Sequence, residues 1–444
     1  MLKGNLLVNI LYFTVPLILS GILQLLFNAI DMIVVGKFSG STSMAAVSST
    51  GSLINLITNL FIGLSVGSSV CIARRIGKGN TEEVSKAVQT SICIAFISGI
   101  VLTLFGIVFS RKLLVLMKSP EDVIDLSALY LRIYFTGMTA TMVYNFASAI
   151  LRAKGDTKRP LMTLSIAGAL NALLNLFFVV AVKLDVAGVA LASSISSYVS
   201  AILTLIVLIR DPGMVQLDIR NLYIDRQALK EIARVGIPAG IQGTVFSLSN
   251  VVIQSSVNSF GGTVMAGNGA ASSIEGFVYN AMNAFYQTCL TFTSQNVGAG
   301  QLKRSGKILA VCLLMVTLTG FILGYGVYLN GAFFLRIYSD DAEVIAAGLI
   351  RMYYICRVYC LCGIMDVFVG SLRGMGSSVL PMIVSLLGAC AFRLVWIATY
   401  FQKHHDIRSL YVSYPYSWIL TASVHFLTFL LVYSRLKRKA GNKT

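Results

Sequence analysis

Charge-free stretches recur along this chain, and each is long enough to cross a lipid bilayer. A transmembrane helix needs about 20 consecutive, mainly apolar residues. Because lipid offers no hydrogen bonds to the backbone, such stretches fold as helices. Two longer stretches, at 38–73 and 235–274, each contain a glycine-rich break. The pattern predicts an all-α polytopic membrane protein with twelve transmembrane helices. The uninterrupted stretches are 87–110, 160–182, 186–209, 276–302, 308–335 and 409–434.

The basic character of the chain is explained by membrane topology. The formal net charge is +17, but only 12% of the residues are charged, against about 25% in a soluble domain. Lys and Arg concentrate in alternate loops and at both ends, whereas the other loops carry acidic residues. Cytoplasmic loops are enriched in Lys and Arg. We therefore predict a multi-pass protein of the plasma (inner) membrane with both termini cytoplasmic, a retained first helix and no nucleic-acid partner.

Three sequence blocks recur in the same order at one spacing, which indicates an internal repeat. LRAKGDTKRP at 151–160 returns as LRGMGSSVLP at 372–381, and VPLILSG at 15–21 returns as IPAGIQG at 237–243. RRIGKG, from Arg74, similarly returns as QNVGAG. Six helices per half give the halves the same orientation, so the repeats are parallel and a site should lie between them near the midplane. We predict an N-terminal lobe, 1–218, with an inter-lobe connection at 210–234, and a C-terminal lobe, 219–444.

The predicted helix ends follow from proline, glycine and charge. Pro160 and Pro381 should each lie at a helix start, where a missing N–H costs little. Gly79 and Gly300 should follow the second helix of each half, and the basic tail at 435–444 should be frayed. We expect helices near 10–36, 46–73, 86–111, 126–151, 160–183, 187–209, 235–259, 267–296, 307–332, 344–371, 379–401 and 412–434.

Asp31 is the only charged residue between Lys3 and Lys37. Gln24, Asn28 and Asp31 are spaced i, i+4, i+7, so they share one face of the first helix. A carboxylate in a membrane helix costs a few kcal/mol, and such residues usually face a bundle interior or a wet cavity. The face therefore predicts a binding or coupling site, and the alternative is a polar patch that only pins neighbouring helices together.

Further charged residues lie within predicted helices. Glu275 has no predicted partner and should add negative charge to a substrate cavity, whereas Asp366 and Arg393 could either pair with each other or contact substrate. Arg351, near a helix end, could simply extend its charge toward water. Aromatic and amide side chains suit bulky apolar cations. The predicted cavity residues are Gln24, Asn28, Tyr144, Asn145, Glu275, Tyr279, Asn280, Asp366 and Arg393.

Enzyme and metal chemistry find little support in the sequence. Cys356, Cys360 and Cys362 cluster, but no histidine lies nearby in sequence, and cysteine is a common small apolar filler. A membrane-embedded enzyme would need a cluster of His, Asp or Ser at one membrane interface. We expect no enzyme activity, no structural metal and no cofactor, with a proton or sodium ion as coupling ion and sodium binding possible at Asp31.

Taken together, these blocks resemble the multidrug and toxic compound extrusion (MATE) family, within the multidrug/oligosaccharidyl-lipid/polysaccharide exporter superfamily. The resemblance covers nearly the whole chain. It implies secondary active efflux of cationic, amphipathic small molecules, coupled to inward movement of protons or sodium. It also implies two six-helix lobes that rock between inward and outward states, in a chain that we expect to be monomeric. The residues that carry the resemblance are Pro16, Gln24, Asp31, Gly36, 151–160, 294–300 and 372–378.

The same resemblance implies the coupling residues. Asp31 matches the family's helix-1 carboxylate, and Asn171 and Asn175 match a helix-5 pair in which some members have Asn and then Asp. Ser193 falls where a Thr is found. Because the second acid is absent here, and burial disfavours an ionised carboxylate, protons are favoured over sodium. The alternative within the superfamily is a flippase for lipid-linked sugars, which would need a cavity rich in Arg and Lys.

Overall fold

The first part of the chain forms seven α-helices. A computed structural model describes residues 1–117 and 121–441, and the predicted tail residues 442–444 lie outside that description. A π-helical segment, Leu176–Ala181, follows α6, and a 3-10 turn, Ile219–Asn221, lies in the connection to the second part. The helices are α1 Leu6–Phe38, α2 Ser41–Lys78, α3 Thr81–Leu116, α4 Glu121–Thr136, α5 Met138–Lys154, α6 Lys158–Asn175 and α7 Asp185–Ile209.

The second part repeats this order with more interruptions. A 3-10 turn, Cys356–Val358, separates α12 from α13, and π-helical segments at Leu386–Ala391 and Ile397–Phe401 flank α15. Within the described ranges no β-strand is present. The helices are α8 Arg226–Asn258, α9 Gly262–Gly298, α10 Leu302–Leu329, α11 Gly331–Arg336, α12 Ala342–Ile355, α13 Cys360–Gly374, α14 Val379–Ser385, α15 Phe392–Trp396 and α16 Ile407–Gly441.

When helices separated only by a short break are counted as one segment, they confirm the twelve predicted segments. In the described part of the chain, nine helices are long and apolar enough to cross a membrane, and the bent pair formed by α12 and α13 makes a tenth. Of the other two segments, one is divided into the short helices α4 and α5, and the other, α9, carries many amide and hydroxyl side chains. The chain is a polytopic all-α membrane protein.

Two predicted helices are interrupted, which the sequence analysis did not anticipate. The helix predicted at 126–151 is divided at Gly137, where α7 approaches so closely that a Cβ would lie 2.9 Å from the Cα of Ser194. The helix predicted at 344–371 bends by 48° between α12 and α13. Charge-free length predicts that a segment crosses the membrane, but it carries no information about such breaks.

Most predicted helix ends are confirmed. Gly79 ends α2 with φ 72°, and Gly300 follows α9 with φ 73°, a left-handed conformation that favours glycine. Pro160 and Pro381 both occupy the first turn of their helices, α6 and α14. The prediction of a frayed tail was wrong in part, because α16 continues through the basic residues to Gly441.

The chain forms two compact units. One contains residues 19–240, and the other contains residues 1–18 together with 241–444. The connection that was predicted as a polar inter-lobe segment is built into the first of these units, since Val215 and Leu217 are buried in its hydrophobic core. The sequence-repeat boundary at 218/219 remains a prediction about lobes, which the packing of these units does not test.

Candidate functional site

The predicted residues around Asp31 form a closed ring of hydrogen bonds in the unit 19–240. Asp31 lies in α1, Asn171 and Asn175 lie one turn apart in α6, and Ser193 lies in α7. The Asn175 amide donates to one oxygen of the Asp31 carboxylate and, at 3.1 Å, to the Asn171 amide oxygen. The Asn171 amide donates to the Ser193 hydroxyl at 3.4 Å, which donates to the other carboxylate oxygen at 3.3 Å.

Local sequence brings α1 and α6 close enough for this ring to form. Gly168 lies two turns before Asn175, and a Cβ at Gly168 would lie 1.8 Å from the ring of Phe27, one turn before Asp31. Only a glycine therefore permits the helices to approach here. The helix becomes π-helical immediately after Asn175, at Leu176. Such π-segments occur often at functional sites.

The Asp31 carboxylate has neutral partners only. Within the described residues no Lys or Arg forms an ion pair with it, and Asn171 and Asn175 are buried beside it. Among the residues that the structure describes, none donates a hydrogen bond to the buried amide oxygen of Asn175, so the site has an unused oxygen acceptor. A carboxylate with free acceptor capacity and no cationic partner can take up a proton or a small cation.

Two tyrosines beside Asp31 were missed in the sequence analysis. Tyr130 and Tyr134 stack with ring centroids 5.6 Å apart, and both lie within electrostatic reach of the carboxylate. Their i, i+4 spacing, which places both rings on one face of α4, was the sequence feature that could have indicated this pair. Gln24 and Asn28, predicted to share the Asp31 face, are exposed, and no hydrogen bond in the described ranges joins them to the ring.

A second acidic residue, Glu275, belongs to the other unit and is tightly paired. The Arg351 guanidinium donates to both oxygens of Glu275, at 3.0 and 2.6 Å, and to the Asn268 amide oxygen at 2.8 Å. Tyr411 donates to the same amide oxygen at 3.0 Å, and its ring lies 5.6 Å from the guanidinium carbon. Both charged side chains are almost fully buried, so this is a closed, charge-neutral network.

This pairing corrects two sequence interpretations. Glu275 is not an unpaired acid, so the stated reason for expecting it to add negative charge to a substrate cavity was wrong. Arg351 does not extend toward water, because only 8% of the residue is exposed and its guanidinium binds Glu275. The two residues lie 76 positions apart, on α9 and α12, and sequence spacing alone could not bring them together.

Asp366 and Arg393 are not joined, although a pair was one of the two alternatives. Asp366 is half-buried, with the Tyr279 hydroxyl as hydrogen-bonding neighbour and Arg373 as nearby cation. Arg393 donates from Nε to Ser417 at 2.8 Å, and its guanidinium carbon lies 4.1 Å from the Tyr414 ring centroid. No ion pair connects these two residues among those described.

The remaining predicted cavity residues do not form one cluster. Tyr144 is buried in the hydrophobic core of its unit, where its hydroxyl donates to the Pro160 carbonyl at 3.4 Å. The Asn145 amide donates to the Thr141 carbonyl of its own helix at 2.9 Å. Tyr279 is 39% exposed, and the neighbouring Asn280 is half-buried. A role in substrate binding remains a prediction for these residues.

The repeated LR motifs hold polar networks that were not predicted. Arg373 is buried and donates to the Tyr286 hydroxyl at 2.7 Å and to the Gln242 amide oxygen at 2.8 Å. In the first repeat, Lys154 and Arg159 both bind the Asp211 carboxylate, at 2.7 and 3.1 Å. The recurrence of the LR motif at 151–160 and 372–381 was the sequence feature that could have indicated these networks.

Two stretches of the chain match one family model, described as MatE. The matched residues are 16–177 and 238–399, so the model recognises each predicted half once. Their starting points lie at the two proline-containing repeats, one near the start of α1 and one within α8. This match agrees with the internal repeat that the sequence alone indicates.

Known proteins are similar to the chain over most of its length. "Probable multidrug resistance protein YoeA" of Bacillus subtilis (strain 168) is 27% identical over 91% of this chain and 89% of its own. "Probable multidrug resistance protein NorM" of Thermotoga maritima is 26% identical, covering 85% and 82%. A structure described as an outward-facing multidrug resistance MATE family transporter has a TM-score of 0.91 at 21% identity, covering 98% of both chains, which shows the shared fold.

Proposed function

The chain belongs to the MatE family, and on that premise we propose that it exports cationic, amphipathic small molecules in exchange for protons. Its multi-pass helical fold and its multidrug-resistance relatives support a membrane transporter of the efflux type. The observation that carries the proposal is the Asp31 carboxylate, which is held by neutral side chains and has no cationic partner among the described residues.

Proton coupling follows from the hydrogen-bond chemistry of the ring. An ionised carboxylate only accepts hydrogen bonds, whereas a protonated one must also donate. Asn175 and Ser193 both donate to Asp31, so protonation removes one acceptor site from the ring. The new O–H donor needs an acceptor, so we propose that the ring hydrogen bonds reorient to supply one, which changes how α1 packs against α6 and α7. This change is the coupling event that we propose between proton uptake and substrate release.

Sodium fits the site less well than a proton does. Hard cations prefer several oxygen ligands with negative charge, and Asp31 supplies the only carboxylate in the ring. Amide and hydroxyl oxygens of Asn171, Asn175 and Ser193 complete a possible ligand set, and the Asn175 amide oxygen has no hydrogen-bond partner. Sodium binding would still require the ring oxygens to give up their hydrogen bonds in order to coordinate the ion.

The transported molecules, the mechanism and the location follow from the family premise. We propose bulky organic cations as substrates, a rocking movement of two six-helix lobes, monomeric protein in the plasma membrane and cytoplasmic termini. A flippase for lipid-linked sugars is not favoured, because the two relatives named above are described as probable multidrug resistance proteins.

The proposal is tested in proteoliposomes with one gradient imposed at a time. A proton gradient, acidic outside, should drive export of a cationic dye, and an inward sodium gradient at equal pH should drive little. The matched control is Asp31→Asn, which should abolish the gradient-dependent component. Export that is driven by the sodium gradient and not by the proton gradient would show that the coupling ion is sodium. Export without either gradient would exclude secondary active transport.

A further inference from the structure

In the unit of residues 1–18 and 241–444, three of the described arginines are buried, and they differ in how many hydrogen bonds their guanidinium groups make. Arg351 makes three hydrogen bonds, two of them to Glu275. Arg373 makes two, to a tyrosine hydroxyl and an amide oxygen. Arg393 makes one, from Nε to Ser417. All three are less than a tenth exposed, so burial does not distinguish them.

Arg393 is stabilised by aromatic rings on its face, and among the described residues only its Nε forms a side-chain hydrogen bond, to Ser417. The guanidinium carbon lies 4.1 Å from the Tyr414 centroid and 5.6 Å from that of Trp418. Stacking on an aromatic face leaves the two terminal nitrogens available for planar, bidentate binding. No described carboxylate forms an ion pair with them. A buried cation without a counterion is costly unless an anion arrives.

We propose that Arg393 is the binding site for an acidic group, a carboxylate or phosphate, on a transported molecule. The inference rests on the proposed export function and narrows its substrates from simple cations to amphoteric ones. Asp366 supports this reading, because Cys362 is an electrostatic neighbour of both Asp366 and Arg393. A molecule with one cationic and one acidic group could therefore meet a charge of opposite sign at each residue.

The test compares two forms of one dye that differ in a single charge. A rhodamine ethyl ester is a cation, and the same dye with its carboxylate free is a zwitterion. Binding to the purified protein can be followed by quenching of Trp418, in a Trp396→Phe background that leaves it as the single tryptophan. We expect Arg393→Gln to weaken binding of the free acid about tenfold or more, and to change binding of the ester little.

Two further variants make the result decisive. Arg357→Gln is the matched control, because Arg357 also lies over a tyrosine, 4.4 Å from the Tyr353 centroid, but is only half-buried. It should affect neither dye. Arg393→Lys keeps the charge and should retain part of the preference for the free acid, which also covers the case that Arg393→Gln fails to fold.

Equal losses for acid and ester in Arg393→Gln would overturn the proposal and leave Arg393 a packing residue. Unchanged binding of the acid in that variant, or no acid preference in Arg393→Lys, would overturn it as well. Gradient-driven export of the ester is measured separately in proteoliposomes. If the ester is exported while the acid shows no dependence on Arg393, the export function stands and only the anion site fails.

Discussion

Asp31 and Glu275 are both carboxylates within membrane-spanning helices, and their surroundings differ in one respect. Asp31 accepts hydrogen bonds from one amide and one hydroxyl, whereas Glu275 is held by the Arg351 guanidinium. The charge of Glu275 is therefore already balanced inside the protein. The charge of Asp31 is not, and it can be balanced only by something that arrives, such as a proton or an ion.

We propose that this difference separates a functional acid, Asp31, from a structural one, Glu275. A buried ion pair contributes little net stability, but removal of one partner is strongly destabilising because the other charge remains buried alone. A carboxylate among neutral donors behaves in the opposite way, since an amide of similar shape can replace it without leaving a charge behind. The two sites should thus respond oppositely to the same conservative substitution.

The largest expected effect is the loss of coupling in Asp31→Asn. The amide retains the shape of the carboxylate and leaves no unpaired charge, so we expect folding and dye binding to stay near the parent level. Gradient-driven efflux should fall to the rate of empty vesicles, because nothing in the ring then takes up a proton. Efflux from proteoliposomes, normalised to folded protein, measures this. Efflux at the parent rate would place coupling elsewhere and remove the contrast between the two acids.

Glu275→Gln should show the reverse pattern, with lower stability and retained coupling. It leaves the Arg351 guanidinium buried without its carboxylate, which costs about 3–5 kcal/mol in proteins. We expect a lower melting temperature in detergent, while transport per folded molecule keeps its dependence on the proton gradient. A parent-like melting temperature with selective loss of cationic-dye export would instead restore the role of Glu275 as a cavity charge.

Replacement of the whole pair is the control for that experiment. Glu275→Gln combined with Arg351→Met removes both charges, and such replacements are often neutral or stabilising. The double variant should therefore recover much of the stability lost in Glu275→Gln. If it is as unstable as the single variant, the loss arises from packing around α9 and α12 and not from the unpaired arginine.

Asn175→Asp should make the Asp31 site more like a metal site and less like a neutral ring. The substitution places a second carboxylate against Asp31, so one of the two will hold a proton unless a cation neutralises both. We expect a smaller effect than in Asp31→Asn, seen as efflux that responds to sodium gradients. Asn171→Gln keeps the site at one acid and is the matched control. An unchanged ion requirement in Asn175→Asp would show that ligand charge does not select the ion.

The ring around Asp31 was predictable and the Glu275 pair was not, for a physical reason. A lone acid in an apolar stretch is visible in the sequence, and the family resemblance supplied Asn171, Asn175 and Ser193. Glu275 and Arg351 meet only after two helices have packed, and no spacing rule connects residues 76 positions apart. The resemblance also offered no counterpart for this pair.

The same limit explains the other differences between expectation and structure. Twelve segments follow from hydrophobic length, but the break at Gly137 depends on the approach of Ser194 from another helix. The basic LRAKGDTKRP motif indicated a cytoplasmic loop, and its function as a clamp on Asp211 required the fold of the connection. Patterns along one helix are readable from sequence, whereas partners across helices are not.

The smallest expected effect concerns Asp211, a paired carboxylate that lies outside the membrane-spanning helices. Burial alone would raise the pKa of Asp211, but hydrogen bonds from Lys154 and Gly213 outweigh it and hold the pKa below its ordinary value. Because the pKa of Asp211 is lowered in the folded protein, its ionised carboxylate stabilises the fold at pH values above its ordinary pKa of about 4. This contribution is lost as the pH falls through the lowered pKa.

Asp211→Asn should cost about 1–2 kcal/mol at neutral pH, since both basic partners are partly exposed. Melting temperatures of parent and variant should converge below about pH 4. A gap that persists in acid would assign the loss to packing of the connection, whereas Glu275→Gln, with its partner fully buried, should lose more at neutral pH.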